Sequence, residues 1–208
     1  MPSDTTFWDK IATRYAAMPI GNQAAYDQTL ERVAAHLTSS DHVVEIGCGT
    51  ATTTLTLAPR VARMLATDAS AEMVRIAREK AVAQGMDTIE IVQARSDDTR
   101  LATGAYDVVM AFSFLHLVEE LDRTLGEVAA MLKPGGLFIS KTPCLGAMWY
   151  LRPVLPVLRM LGKAPGGVAF FSPEVLEAAI RRAGFEIIET GDYPAKTPPR
   201  RFVVARKL

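Results

Sequence analysis

Apolar positions along the chain switch between two periods. Near 22–38, Tyr26, Leu30, Val33, Ala34 and Leu37 recur at helical spacing, which predicts a helix there, preceded by another near 5–17. Short apolar runs then read as strands near 42–47, 63–67, 88–93, 106–112, 136–141, 185–190 and 201–206. Helical patterns fall between the first five of these runs, near 51–59, 70–84 and 119–132. The Ala-rich, charged stretch 71–83 is closed by Gly85, a C-terminal stop. Such alternation predicts an α/β fold with a largely parallel sheet and helices on both faces. Pro194, Pro198 and Pro199 mark a loop before the last strand. The stretch 142–172 interrupts the alternation: it is dense in apolar residues, but Arg152, Pro153, Pro156 and Arg159 break it too often for a membrane span.

The candidate chemistry lies where the first strand run ends. Glu45 closes it, and the chain then turns through Gly47-Cys48-Gly49. Glycine tolerates positive φ and carries no Cβ, so a ligand can approach the backbone closely. A strand feeding such a turn and then a helix is how α/β folds cradle nucleotide-like ligands at the carboxyl edge of a sheet. Asp68 ends the next strand run, 21 residues past Gly47, where a carboxylate can accept from a ribose diol. Asp68 could instead cap the following helix, but Ser70 is the better N-cap, which leaves Asp68 free. A dinucleotide site wants a third small residue where Thr52 stands, and a pyrophosphate disfavours a carboxylate at Glu45. A cationic cofactor without phosphate, such as S-adenosylmethionine, suits both departures.

These residues carry a resemblance. Val43-Val44-Glu45-Ile46-Gly47-Cys48-Gly49-Thr50 resembles the first motif of class I S-adenosylmethionine-dependent methyltransferases, and Ala66-Thr67-Asp68-Ala69-Ser70-Ala71-Glu72-Met73 resembles the second. Tyr106-Asp107-Val108-Val109 is similar to the start of the family's fourth strand, and Leu132-Lys133-Pro134-Gly135-Gly136 to the turn before its fifth. The opening Phe7-Trp8-Asp9-Lys10-Ile11-Ala12 with Arg14-Tyr15 resembles the small-molecule branch that includes quinone-biosynthesis methyltransferases. The likeness covers most of the chain. It implies a Rossmann-like, seven-stranded, mostly parallel sheet with the last strand antiparallel. It also implies a single domain over 1–208, with N-terminal helices in 1–40 and a substrate cap at about 142–172.

The resemblance further implies a cofactor set of Tyr15, Glu45, Gly47, Cys48, Gly49, Asp68, Ala69, Met73, Ser96, Asp97 and Phe112. Tyr15 would be a lid residue, and Glu45 would lie near the methionine end of the cofactor. The adenine side departs from the family: Ala94-Arg95-Ser96-Asp97-Asp98 puts Arg95, which has no acceptor, where the family has Asp. A shifted register would give the amino group to Asp97, with the Ser96 N–H meeting a ring nitrogen. Methyl transfer from a sulfonium needs position and orientation first, and a base only for a nucleophile holding a high-pKa proton. His116, after the fourth strand, is the candidate base; a helix-start histidine bonded to nearby backbone is the competing reading. In the cap, Met148, Trp149 and Tyr150 are candidate walls of an apolar substrate pocket, against core or subunit packing.

Composition narrows the partners. Lys+Arg and Asp+Glu are both 23, so no global charge drives the chain toward nucleic acid or an acidic membrane. The Asn/Asp-Pro-Pro-aromatic turn of amino-methylating nucleic-acid enzymes is replaced by Ala111-Phe112-Ser113-Phe114. Pro143-Cys144 resembles the nucleophile of cytosine-carbon methylation but follows the wrong strand, and Pro199-Arg200-Arg201 reads as a short solvated strand entry. Cys48 and Cys144 belong to no metal-spaced cluster, so no metal is expected, and a reducing, cytoplasmic setting fits. The expected partner is a small apolar or aromatic metabolite, with S-adenosylhomocysteine as cofactor product; a homodimer is left open. Two other classes stay in play: a non-catalytic S-adenosylmethionine-binding module, and a nucleotide-dependent oxidoreductase, against which Glu45 and Thr52 count.

Overall fold

Val43, Val44 and Ile46 are all buried, so the first strand is covered on both faces, as a central strand of a parallel sheet must be. A computed structural model describes residues 5–86, 89–195 and 198–208. Its strands are β1 (His42–Ile46), β2 (Arg63–Asp68), β3 (Ile89–Gln93), β4 (Tyr106–Phe112), β5 (Leu132–Pro143), β6 (Phe185–Asp192) and β7 (Arg200–Lys207). They form one sheet in the order β3-β2-β1-β4-β5-β7-β6. Only β7 runs antiparallel to its neighbours, β5 and β6. The order reverses between β1 and β4, which opens a crevice at the carboxyl ends of those strands.

The helices are α1 (Thr5–Ala16), α2 (Gln23–Ala34), α3 (Thr52–Leu57), α4 (Ala71–Ala83), α5 (Leu121–Met131), α6 (Leu155–Met160) and α7 (Pro173–Arg182). On one face Val44, Val109, Phe138 and Val203 pack against Leu125 and Val128 of α5 and Leu176 and Ile180 of α7. On the other, Val43, Val108, Met110, Ile139 and Phe202 meet Val33 of α2 and Leu57 of α3. Among the described residues no helix is long and apolar enough to cross a membrane.

Three elements differ from the sequence reading. The helix expected near 51–59 stops at Leu57 and continues as a single 3-10 turn, Ala58–Arg60, because Pro59 cannot donate to the helical ladder. Tyr106 pairs with Leu132 and Val108 with Leu137, so residues 133–136 bulge out of the ladder inside a β5 longer than 136–141. A helix the alternation did not reveal, α7, follows the 142–172 stretch. Ser172 caps it, accepting from the N–H of Val175, Pro173 opens it, and Leu176, Ala179 and Ile180 are buried.

The N-terminal helix α1 lies across the start of α4. Ala12 is fully buried against Met73 and Ile76, with Trp8 and Ala16 around them. Asp9 Oδ1 accepts the Ser70 hydroxyl at 2.6 Å and the Glu72 N–H at 3.2 Å. A carboxylate there also meets the positive end of the α4 dipole. Asp9→Ala should therefore cost about 1–2 kcal/mol and speed amide exchange over residues 5–16 while β1 and β4 keep their protection. Hydrogen-exchange mass spectrometry reads this directly, and uniform acceleration across the sheet would contradict it.

Candidate functional site

The turn after β1 is built from backbone. Gly47 and Gly49 take φ of +67° and +55°, and Ala51 follows at +57°. The Cys48 N–H donates to the Thr67 carbonyl of β2 at 2.9 Å. Asp68 Oδ2 accepts the Gly49 N–H at 2.8 Å and Oδ1 the Ser70 N–H at 2.9 Å. One carboxylate thus ties the glycine turn to the start of α4. Each of its oxygens keeps a further lone-pair direction with which to accept from a diol.

Two aromatic rings cover the glycines. A Cβ on Gly47 would fall 2.4 Å from Cδ2 of Phe114, and one on Gly49 would fall 3.6 Å from Cε1 of Tyr15. Phe114 reaches Gly47 because Ser113, at φ +53°, kinks the chain after β4, its N–H held by the Lys141 carbonyl at 2.8 Å. The Tyr15 ring remains 45% exposed. Its hydroxyl is nonetheless pushed above the usual phenol range, first by desolvation and then by the charges of Asp68 and Glu45.

Glu45 is 2% exposed. It accepts the Thr54 hydroxyl, one helical turn into α3, and no cation pairs with it among the described residues. Burial pushes its pKa up to about 7; the Thr54 bond opposes the shift and the nearby Asp68 charge adds to it. Asp68 is also raised, by burial, against its two N–H donors. Desolvation holds the Cys48 thiol well above its ordinary range, so Cys48 is no nucleophile.

The structure treats the remaining sequence candidates unevenly. Ala69 lies at the turn edge and its carbonyl accepts the Gln93 amide at 3.1 Å. Met73 is 2% exposed and packs under α1, so its side chain lies in the core and not in the mouth. Ser96 is half-buried beside Asp97, whose carboxylate is already shared by Arg95 at 3.1 Å and Arg123 at 3.5 Å. Phe112 is half-buried on the α2 face. His116 sits under the loop after α6, its carbonyl accepting the Ala169 N–H at 2.7 Å. Its Nδ1 is buried with no hydrogen-bond partner among the described residues. Burial, helped by the Arg200 charge, pushes its pKa down to about 4, so it is a neutral imidazole and a weak base at neutral pH.

The cap candidates separate. Met148 is half-buried, whereas Trp149 is 68% and Tyr150 55% exposed. Both lie in the 3-10 segment Gly146–Leu151, none of whose residues is buried. Neither ring is buried by the rest of the chain. A cavity of about 430 Å³ opens at the opposite, amino-terminal edge of the sheet, between His42, Arg63, Glu90 and Tyr106, and contains no candidate residue. The carboxyl edge is instead closed over by Tyr15 and Phe114.

Several contributors escape sequence reasoning. Thr54 had a usable signal, since residue 54 faces back toward the turn on a helix starting at 52. Asp9 lay within the motif that suggested Tyr15. Phe114 gave none, because the Ser113 kink that swings it over Gly47 is not visible in residue type.

Two desolvated carboxylates beside a turn that lacks Cβ atoms at Gly47 and Gly49, with no cation among the described residues to pair them, suit a ligand with a diol and positive charge and oppose a pyrophosphate. Residues 43–136 match a protein family described as a methyltransferase domain. A demethylmenaquinone methyltransferase of Symbiobacterium thermophilum is 28% identical over 215 residues, 89% of this chain and 84% of the relative. A ubiquinone biosynthesis O-methyltransferase of Xanthomonas axonopodis pv. citri is 29% identical, over 76% of this chain and 68% of its own. Residues 43–136 thus match a methyltransferase domain, and the chain as a whole is similar to quinone-biosynthesis methyltransferases. The chain shares its fold with a geranyl diphosphate C-methyltransferase of Streptomyces coelicolor, at TM-score 0.72 and 15% identity over 89% of this chain and 79% of that one.

The burial of Glu45 has a stability signature. Its folded pKa, about 7, lies above the unfolded value of 4.5. The stability it supports is complete below the unfolded value and is lost as pH rises through the folded one. At about 1.4 kcal/mol per pKa unit the loss reaches up to about 3 kcal/mol. Ligand-free Glu45→Gln should melt higher than the wild-type protein at pH 8, with the gap closing toward pH 5. A less stable variant at pH 8, by calorimetric melting, would contradict the burial argument.

Proposed function

We propose that the enzyme methylates a small apolar or aromatic metabolite. Glu45 would face the cationic end of S-adenosylmethionine, Asp68 would accept from its ribose, the Gly47–Gly49 backbone would line it and Tyr15 would close over it. The bound cofactor supplies an activated methyl group on a sulfonium. The chain's part is then to desolvate, orient and exclude water. The observation that carries this reading is the pair of desolvated carboxylates, buried Glu45 and half-buried Asp68, which no cation neutralises among the described residues. The acceptor class is supported by the printed names of the relatives, which act on demethylmenaquinone and in ubiquinone biosynthesis, and by that of a fold neighbour solved with geranyl diphosphate.

A methyl-labelled cofactor incubated with metabolite extract tests the reaction. Label should appear in a small-molecule product that is retained on a reversed-phase column. Label confined to protein or nucleic acid would contradict the reading. The ribose contact has its own test. Asp68→Ala that still melts cooperatively should bind S-adenosylhomocysteine at least about tenfold more weakly. Unchanged affinity by titration calorimetry would leave Asp68 with only its turn-holding role.

A further inference from the structure

Lys141 and Arg200 are cations without counter-ions at the rim of the same crevice. In the β5–β7 ladder Lys141 pairs with Phe202 and Pro143 with Arg200. Lys141 and Arg200 are thus same-face diagonal neighbours, about 7–8 Å apart along the carboxyl edge of β5. The Lys141 ammonium donates to the Thr29 hydroxyl at 2.6 Å and the Ala25 carbonyl at 3.5 Å, both uncharged groups of α2. Among the described residues neither cation has a carboxylate within ion-pair distance. Arg201, one residue on and facing the other way, does: it pairs with Glu177 at 2.8 Å and Asp192 at 3.0 Å. The basic pair at the start of β7 is therefore not one solvated entry; only Arg200 is left open.

Both cations lie at the carboxyl edge of the sheet, which also carries the candidate site. The Lys141 carbonyl holds the Ser113 N–H, at the kink that leads to Phe114 and His116. Burial, together with the Arg200 charge, lowers the Lys141 pKa to about 8. The same charge reaches His116 and Tyr15. The crevice is thus divided, with desolvated carboxylates on the β1–β2 side and unneutralised cations on the β5–β7 side. A half-buried ammonium held only by neutral groups beside a second positive charge is unfavourable until an anion arrives.

Building on the methyltransferase reading, we propose that the methyl acceptor carries an anionic oxygen group held by Lys141 and Arg200. A carboxylate, a diphosphate or an ionised phenol shares that chemistry. Arg200, exposed at the rim, offers the fork geometry that suits planar or branched oxyanions, and Lys141 behind it offers a point charge. Where the anionic oxygen is itself the nucleophile, as in an ionised phenol, no base is needed, in keeping with the weak base His116.

Calorimetry on protein saturated with S-adenosylhomocysteine tests this with two probe pairs. 4-Hydroxybenzoate is compared with 4-hydroxybenzamide, and geranyl diphosphate with geraniol. At least one anion should bind at least about tenfold tighter than its neutral counterpart, and the responding arm distinguishes an aromatic acid from an isoprenyl diphosphate. Arg200→Gln should remove most of that preference, and Lys141→Met should do so as a second variant. Affinity for S-adenosylhomocysteine should stay within about twofold in Arg200→Gln, which controls for folding. Equal binding of anion and neutral counterpart, no binding of either anion, or a preference that survives both substitutions overturns the proposal. Wild-type protein that fails to bind S-adenosylhomocysteine overturns the methyltransferase reading and this proposal with it.

Discussion

A carboxylate buried without a cation must either take up a proton or wait for a positive ligand, and Glu45 is placed under that constraint by the fold. It is the penultimate residue of a central strand covered on both faces, so water hardly reaches it, and the Thr54 hydroxyl satisfies only part of its capacity to accept. Asp68 on the neighbouring strand deepens the deficit with a second partly desolvated charge. Around them the turn is made of backbone, fixed by the bonds from Gly49 and Ser70 to Asp68 and from Cys48 to Thr67. Such a site is ordered before any ligand binds, at a cost in stability that the core on both sides of the sheet offsets.

The cover of the site is less deeply embedded than its floor. Tyr15 rides on α1, which has a single buried residue, Ala12, and is fastened by the Asp9 carboxylate at the start of α4. Phe114 is carried by the strained Ser113 turn. Both rings sit against the glycines that a cofactor would approach, so entry requires their displacement, and the elements that bear them are light enough to move without disturbing β1 or β4.

What the sequence reveals follows from how locally each feature is determined. The glycine turn, Asp68 and the Ser70 cap are backbone features set by residues a few positions apart, and the strand–helix alternation carries the sheet. The helix α7 was hidden because its Pro-Glu-Val-Leu start abuts the irregular 142–172 stretch, although Ser172-Pro173 is a start signal. Trp149 and Tyr150 stand in an apolar stretch after the fifth strand, where the resemblance places a substrate cap, and the sequence leaves a pocket wall and core or subunit packing both open. Residue type says nothing of facing in a short 3-10 segment: both are largely open to solvent, although Met148 beside them is half-buried. The open cations Lys141 and Arg200 depend on the β5–β7 register and on which of two adjacent arginines meets Glu177. Neither is a local property.

The central claim is that Glu45 stays protonated in part until a cationic ligand displaces the proton. Titration calorimetry with S-adenosylmethionine at pH 6, in buffers of different ionisation enthalpy, measures that proton. With a free pKa of about 7, binding should release about 0.9 proton per site, and Glu45→Gln should release almost none. Binding by the wild-type protein at pH 6 with no proton released would show that Glu45 is already ionised or does not meet the ligand, and would contradict the account.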